Sequence, residues 1–323
     1  MQKKEKILIC LSGGVDSSVS ASLLLDQGYD VTAAFMINYD ESDGNCWKAD
    51  YQDAVRVSAK LKIPIMKLDF TDEYSKDVLE YMYELYKKGL TPNPDVLCNK
   101  YIKFGAWLNK ANELGFEKIA TGHYANVQKK EKQFFLKKAK DKNKDQTYFL
   151  NQLNQKQLGK VIFPIGNYTK EDVRKLAKKY ELPTAEKKES MGICFIGKVD
   201  MKDFLKKRIK EKKGDIIYSK TNEVIGKHDG LAFYTIGQRH LNVKVPGGKN
   251  TAVYVLFKDK KKNQLIVGEN NDSLMYSQEI TVHDMNWIND VELPLSCDVR
   301  LRHRQDLQKC KIKKIKKQEF YFC

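Results

Sequence analysis

The sequence predicts an α/β fold with a doubly wound parallel sheet, followed by a small central domain and a β-barrel-like C-terminal domain. Two observations support this prediction. Strand-like and helix-like segments alternate through the first two-fifths of the chain, and short β-rich runs replace them beyond Gly214. A chain of 323 residues is long enough for two or three cores. We place the domains at residues 1–205, 206–272 and 273–323.

The alternating part begins with a buried strand, predicted by the apolar run Ile7–Leu11, and a helix with apolar residues at helical spacing from Val19 to Leu25. The pattern then predicts strands at 31–37, 63–68 and 117–120, and helices at 50–61, 72–88, 100–114 and 169–180. Ligands of such sheets bind outside the carboxyl ends of the strands. Three segments there are candidates for binding: Ser12–Ser18, Met36–Asn38 and Thr121–Tyr124.

Beyond Gly214 helical periodicity is absent. Short β-rich runs at 215–218, 251–257, 264–267 and 279–282 are separated by Asn, Gly, Asp and Lys. They predict one or two small barrels in the C-terminal third of the chain.

The composition is that of a folded, strongly basic protein. No apolar stretch approaches the roughly 20 residues that span a bilayer, and the N-terminus lacks a signal-peptide pattern, so we expect a cytoplasmic protein. The formal charge of +16 favours polyanionic partners. Only seven of the 58 basic residues are arginine. Because an AT-rich genome also produces a lysine excess, charge alone leaves nucleic-acid binding open.

The seven cysteines include no Cys-x-x-Cys pair, which argues against zinc and structural disulfides.

The segment Ser12-Gly-Gly-Val-Asp-Ser-Ser18 has the features of an anion site. It joins the first strand to the first helix, where two glycines permit close backbone approach and the free N–H groups of the helix face a ligand. No lysine follows the glycines, so it is not a Walker A loop. It resembles the pyrophosphate loop of ATP pyrophosphatases. The alternative is an ordinary tight turn.

Two cysteines are candidates for thiol chemistry. Cys98 lies near Asp95 and close to the predicted start of a helix at Lys100, where the helix dipole favours a thiolate. Cys194 lies between Gly192 and Gly197 in a predicted loop. The alternative is that both are passive, buried cysteines, Cys98 next to an N-cap at Asn99.

Six blocks follow one another along the chain: Ser12–Ser18, Thr91–Asp95 with Cys98–Lys100, Ala120–Tyr124, Lys144–Leu150, Gly192–Gly197 and Tyr234–Arg239. Together they resemble the tRNA-specific 2-thiouridylase family, and the resemblance runs from the first strand to about residue 310.

The resemblance implies an enzyme that replaces the C2 oxygen of the wobble uridine of tRNA with sulfur. ATP, expected with Mg²⁺ and a possible ligand in Asp16, adenylates that oxygen. A persulfide on Cys194 delivers sulfur, and Cys98 resolves it through a Cys98–Cys194 disulfide or itself attacks, with Asp95 suited to acid–base work.

The partners implied are a persulfide donor, either a cysteine desulfurase or a sulfur-relay protein, and the tRNAs for Lys, Glu and Gln. The resemblance implies that ATP is bound by Cys10, Leu11, Ser12, Gly13, Gly14, Val15, Asp16, Ser17, Met36 and Gly122. It implies that tRNA is bound by Asn93, Pro94, Asp95, His123, Lys144, Asp145, Gln146, Arg302 and His303.

The last segment of the chain is basic. Arg300–Arg304 alternates cationic and apolar residues, which predicts a strand with one basic face, although a solvated edge strand would look the same. The sequence departs from the family pattern at Cys10, where a Gly or Ala is more usual, and at Met191, where a Thr is usual. It also ends at Cys323, before several strands that the family normally has, so we expect an incomplete last barrel and weaker tRNA binding.

Two other functions remain open at this point. Another pyrophosphate-loop enzyme, such as a tRNA lysidine synthase or argininosuccinate synthase, would adenylate its substrate without needing Cys98 and Cys194. A non-catalytic RNA-binding protein on the same scaffold would bind tRNA without cleaving ATP to AMP.

Overall fold

The computed structural model describes residues 4–40, 47–189, 200–239, 241, 243–246, 252–316 and 319–322. Cys194 and its flanking residues Gly192 and Gly197 therefore lie outside the described residues, as does the predicted Cys98–Cys194 pair. Among the described residues, no helix combines the length and apolar character needed to cross a membrane.

The helices of the described chain concentrate in its first two-thirds. In chain order they are α1 Val15–Asp26, α2 Lys48–Leu61, α3 Thr71–Tyr74, α4 Tyr81–Lys87, α5 Pro94–Leu97, α6 Trp107–Glu113, α7 Gln155–Leu158, α8 Lys170–Lys179 and α9 Met201–Lys206. Two π-helical stretches, Ser75–Glu80 and Cys98–Ala106, join α3 to α4 and α5 to α6.

The strands form four sheets. They are β1 Lys6–Cys10, β2 Asp30–Ile37, β3 Ile65–Asp69, β4 Lys118–Ala120, β5 Asn126–Lys130, β6 Gln133–Lys137, β7 Val161–Ile162, β8 Gly214–Tyr218, β9 Val224–His228, β10 Val253–Asp259, β11 Gln264–Glu269, β12 Ile280–His283, β13 Leu295–Val299, β14 Gln308–Lys316 and β15 Glu319–Phe322. Their orders are β3-β2-β1-β4-β7, β5-β6, β10-β11-β8-β9 and β12-β15-β14-β13.

The first sheet is parallel throughout, which confirms the predicted doubly wound α/β fold. Its central strand β1 is apolar at successive positions because helices cover both faces: Ile7, Leu8 and Ile9 are fully buried. The predicted change to β structure beyond Gly214 is also confirmed, since only short 3₁₀ turns interrupt the described strands there.

The chain divides into two compact units. One comprises Met1–Val78, Pro94–Lys198 and Val282–Phe320, and the other Leu79–Asn93, Val199–Thr281 and Tyr321–Cys323. The core of the second unit is formed by strands β8, β10 and β11, with Val255, Leu265 and Val267 fully buried. In this unit the buried Lys258 donates a hydrogen bond to the carbonyl of Gly89 (3.1 Å), and burial lowers the pKa of Lys258 to about 8.

Two predicted local structures are wrong. Helix begins at Pro94 rather than near Lys100, because proline is well suited to a first helical turn, so Cys98 lies within helical structure and not at its start. Arg300–Arg304 is a turn between β13 and β14 rather than a strand. Gln305 Oε1 accepts hydrogen bonds from the backbone N–H groups of Leu301 and Arg302 (3.1 Å each), which fixes the turn.

Candidate active site

A cleft of about 530 Å³ opens at the carboxyl ends of the parallel strands, within the first unit. Cys10 at the end of β1, Met36 near the end of β2, and Thr121 and His123 after β4 all line it. This is where a doubly wound sheet places its ligands.

The loop Ser12–Ser18 forms one side of the cleft. Its shape is held by hydroxyl groups: Ser17 Oγ accepts from the Ser12 N–H (3.2 Å) and donates to the Gly14 carbonyl (3.0 Å). Gly13 has φ +74°, and a Cβ there would lie 2.1 Å from the carbonyl oxygen of Asp50, so only glycine fits. Gly14 precedes α1 and supplies no side-chain cap, and the first-turn residues Val15, Asp16 and Ser17 line the cleft, where helix N–H groups suit an anion.

An ion-pair network lies beside this loop. Lys170 Nζ is 2.7 and 2.9 Å from the two carboxylate oxygens of Asp16 and 3.0 Å from Glu189 Oε1. Lys144 Nζ is 2.6 Å from Glu189 Oε2. Burial opposes ionisation of Glu189, but the two lysines outweigh it and lower its pKa to about 2. Tyr124 donates to Asp16 (2.9 Å), and its pKa is raised by burial and then by that carboxylate.

His123 lies on the cleft floor and is 6% exposed. Its Nδ1 is 2.6 Å from Thr121 Oγ1, and its ring contacts Phe104 and Phe163 at centroid distances of 5.8 and 5.9 Å. Burial, with the nearby charge of Lys103, holds the pKa of His123 well below its ordinary value. The imidazole is therefore neutral at physiological pH.

The opposite side of the cleft combines the helix that starts at Pro94 with the turn between β13 and β14. Asp95 and Asn99 line the cleft from the helix, and His303 and Arg304 line it from the turn. Phe149 joins them: its carbonyl accepts from Asn99 Nδ2 (3.0 Å), and its ring lies 4.6 Å from the His303 ring. Aromatic and amide groups can stack on and hydrogen-bond a nucleobase, and cationic groups beside them can bind the phosphate backbone of the same nucleic acid.

Three family models match consecutive parts of the chain. Their descriptions are a tRNA methyl transferase HUP domain at residues 5–198, a tRNA methyl transferase PRC-barrel domain at 202–269 and an aminomethyltransferase beta-barrel domain at 277–321. The tRNA-specific 2-thiouridylase of Mycoplasma mycoides is 47% identical over 336 residues, covering 97% of this chain and 89% of that protein. The chain belongs to the tRNA-specific 2-thiouridylase family. A second enzyme of that name, from Geobacillus kaustophilus, is 46% identical and covers 93% of this chain and 82% of its own.

The family models are described as methyl transferases, whereas the curated relatives are named for thiolation. Among solved structures, the NMN synthetase of Francisella tularensis has a TM-score of 0.37 at 20% identity, over 58% of this chain and 67% of its own, which is too low to indicate a shared function.

Most residues that the sequence predicts for the 2-thiouridylase site lie in the one cleft. From the predicted ATP set, those lining it are Cys10, Ser12, Gly14, Val15, Asp16, Ser17, Met36 and Gly122. Gly122 allows close packing, since a Cβ there would lie 2.8 Å from the Ser17 backbone nitrogen. Leu11 is instead fully buried in the core, and Gly13 shapes the loop. From the predicted tRNA set, those lining it are Asp95, His123, Lys144, Gln146 and His303.

Other predicted residues lie elsewhere. Asp145 is 6% exposed and accepts from the backbone of Ala139 (2.7 Å) and from Thr147 Oγ1 (2.5 Å), which is a structural arrangement. Cys98 is fully buried and is not among the described residues that line the cleft. Arg302 is exposed on the turn, and Asn93 and Pro94 immediately precede Asp95.

Several cleft residues were missed by sequence reasoning. Lys170 and Glu189 have no motif around them, because each reaches the loop from a distant part of the chain. Asn38 and Trp47 also line the cleft. Asn38 belongs to the predicted binding segment Met36–Asn38 but was given no ligand of its own, and its polar character after an apolar run was the available signal.

The donor set near the loop fits a magnesium ion that arrives with a nucleotide. No cluster of three or more His, Cys, Asp or Glu side chains that could hold a metal occurs in the described ranges. Mg²⁺ keeps several waters and takes phosphate oxygens, so it needs only one or two protein carboxylates. Asp16, at the start of α1, is placed to supply one.

Proposed function

We propose that this protein is a tRNA-uridine 2-sulfurtransferase, which uses ATP to activate the C2 oxygen of the wobble uridine and replaces it with sulfur. The observation that supports this most is the single cleft that combines the Ser12–Ser18 loop with Asp95, Phe149 and His303. Such a cleft can hold a nucleoside triphosphate and a nucleobase together. The identity to 2-thiouridylases over most of the chain supplies the substrate class.

The nucleotide's phosphates would lie against the N-terminus of α1. There the backbone N–H groups and the hydroxyls of Ser12 and Ser17 can donate to phosphate oxygens, and Lys170 can neutralise charge. The backbone near Met36 and Gly122 would hold the adenosine. When Mg²⁺ is bound at Asp16, it supplies further charge neutralisation on the phosphates.

The uridine would enter from the side of Asp95, flipped out of the anticodon stack. Asn93, Pro94 and Asp95 would contact the base, while His123, Lys144, Gln146, Arg302 and His303 would contact tRNA. Attack of the C2 oxygen on the α-phosphorus releases diphosphate and requires loss of the N3 proton, which the Asp95 carboxylate can accept.

Sulfur transfer would use two cysteines. The terminal sulfur of a Cys194 persulfide attacks C2, and the C2–O bond breaks with AMP as the leaving group. The transferred sulfur is then bonded both to C2 and to Sγ of Cys194. The Cys98 thiolate attacks Sγ of Cys194, and the bond between that atom and the transferred sulfur breaks, which releases 2-thiouridine and gives a Cys98–Cys194 disulfide. Because Cys98 is fully buried, this role requires local opening of the π-helical stretch Cys98–Ala106, and π-helical turns are frequent at functional sites.

The remaining parts of the proposal concern partners and organisation. The persulfide would come from a cysteine desulfurase or a sulfur-relay protein, and the substrates would be the tRNAs for Lys, Glu and Gln. The three matched ranges support a division into a catalytic domain at 1–205, a central domain at 206–272 and a C-terminal β domain at 273–323.

The test is thiolation of unmodified tRNA by the purified protein with ATP, Mg²⁺ and a persulfide donor, read as retardation on a mercury-containing gel. We expect thiolated tRNA from the wild type, and none above background from Cys194→Ser or Cys98→Ser. Cys297→Ser is a matched control, since Cys297 lies on β13, and it should retain full activity. Formation of AMP without thiolation in the wild type would contradict sulfur transfer, and tRNA binding without AMP would indicate a non-catalytic scaffold.

A further inference from the structure

Asn38 is a buried side chain that lines the cleft and whose hydrogen-bonding groups have no partner in the described part of the chain. It directly follows β2, is 2% exposed, and lines the cleft two residues beyond Met36. Neither Oδ1 nor Nδ2 has a hydrogen-bond partner among the residues that the structure describes. Burying an unpaired carboxamide is unfavourable, so a polar group that is kept in this state at a binding cleft indicates a ligand.

The surroundings of Asn38 suit a flat heterocycle. Phe35 and Trp47 line the same cleft, with ring centroids 6.4 Å apart. Trp47 Nε1 is also buried and, within the described ranges, has no acceptor. An aromatic wall with a few convergent polar groups is typical of a small-molecule site.

The position of Asn38 in the fold indicates that it contacts the nucleotide rather than the target uridine. β2 pairs directly with β1, so that Ala34 faces Cys10, and β1 leads into the Ser12–Ser18 loop that would hold the phosphates. The groups suited to the uridine, Asp95 and Phe149, belong to the helix at Pro94 and the turn that follows Gln146.

We propose that Asn38 recognises adenine, accepting from its 6-amino group through Oδ1 and donating to the adjacent ring nitrogen through Nδ2. A carboxamide presents one acceptor and one donor side by side, and this pair matches the donor and acceptor edge of adenine. Asn38 thereby selects nucleotides that carry a 6-amino purine. This inference rests on the proposed use of ATP and adds a specificity residue to it.

The experiment compares ATP with purine riboside 5′-triphosphate, which lacks the 6-amino group, by calorimetric titration without tRNA. The wild type should bind ATP about tenfold or more tightly than the analogue. Asn38→Leu, which is similar in size, should bind ATP about tenfold more weakly than the wild type and show no preference between the two nucleotides. Asn143→Leu is the matched control: Asn143 lines the same cleft but is exposed, so this variant should keep the preference.

A thermal melt without nucleotide separates recognition from folding. Because the unpaired carboxamide is replaced by an apolar group, Asn38→Leu should melt at the wild-type temperature or higher. A lower melting temperature together with equal losses for both nucleotides would make Asn38 structural and overturn the proposal.

Three further outcomes would also overturn it. If the wild type binds both nucleotides equally, Asn38 does not read the 6-amino group, although the proposed function stands. If Asn38→Leu keeps its preference for ATP but loses thiolation at saturating ATP, Asn38 serves the target base. If the wild type binds neither nucleotide, the proposed function fails and this inference with it.

Discussion

At the scale of single residues, the phosphate side of the cleft depends on one lysine. Lys170 Nζ contacts both oxygens of Asp16 and one oxygen of Glu189, whose other oxygen contacts Lys144, so Lys170 is the cation that balances Asp16 at the place where a polyanion would bind. Nothing local in the sequence predicts this role, because Lys170 is 154 positions from Asp16 and its own surroundings indicate only the start of a helix.

Lys170→Met should weaken ATP binding by about tenfold or more, because it removes a charge-assisted contact and leaves the Asp16 carboxylate without its lysine partner near the phosphates. The measurement is ATP affinity by calorimetry. Lys175→Met, on the exposed face of the same helix α8, is the control and should bind ATP like the wild type. Equal affinity of Lys170→Met and the wild type would show that Lys170 pairs with Asp16 and Glu189 without contributing to nucleotide binding.

His123 gives a prediction about pH. Its lowered pKa means that the unfolded chain binds more protons than the folded protein, so this residue's contribution to stability is present above pH 6.5 and is lost as the pH falls below that value. Between pH 6.5 and about 5.5, the wild type should lose about 1 kcal/mol more than His123→Gln, which cannot titrate. Urea unfolding of both proteins across this range measures it, and parallel pH profiles would contradict the account.

At the scale of elements, the parallel sheet could be predicted because its strands are continuous apolar runs, and the predicted strands 31–37 and 117–120 differ by one residue from β2 and β4. The β5–β6 hairpin was missed because its strands are partly exposed and rich in Lys. The helix was predicted too late, near Lys100, although it begins at Pro94, because proline is suited to a first helical turn and the apolar spacing that predicts a helix is clear only further along the chain.

The two glycines of positive φ on either side of α1, Gly13 before it and Gly28 after it, allow a prediction at the scale of elements. Gly28→Ala, at φ +85° with no atom within 4 Å of the new Cβ, should cost about 1 kcal/mol of unfolding free energy and leave ATP affinity unchanged. Gly13→Ala, whose Cβ would meet the Asp50 carbonyl, should cost more and abolish detectable ATP binding. Urea unfolding and calorimetry check both, and two variants with the same properties would refute the steric role of Gly13.

At the scale of the whole molecule, the cleft draws its residues from chain segments near 10–17, 35–39, 47–50, 95–103, 121–149, 170–189 and 303–304. Sequence reasoning identified the segments whose blocks resemble a known family. It included Asn38 only as part of a candidate binding segment, and it could not identify Lys170 or Glu189, because their roles arise only when distant segments meet. The net charge of +16 describes the molecule as a whole and suits a long polyanion.

The charge predicts different salt dependence for the two substrates. Between about 50 and 200 mM KCl, tRNA affinity should fall by about 100-fold or more, because lysines and arginines displace counterions from many phosphates. ATP affinity should change by less than about tenfold, because one triphosphate makes few such contacts. Filter binding of tRNA and calorimetry of ATP in the same buffers give both values, and a flat tRNA curve would contradict phosphate-dominated binding.

The most direct test of the central claim follows the oxygen atom that leaves C2. A tRNA whose wobble uridine carries ¹⁸O at C2 is thiolated in a single turnover, and the released AMP is analysed by mass spectrometry. If ATP adenylates that oxygen, the AMP carries one ¹⁸O for each thiouridine formed. AMP without the label would show that its oxygen came from water, and would contradict activation of the base by adenylation.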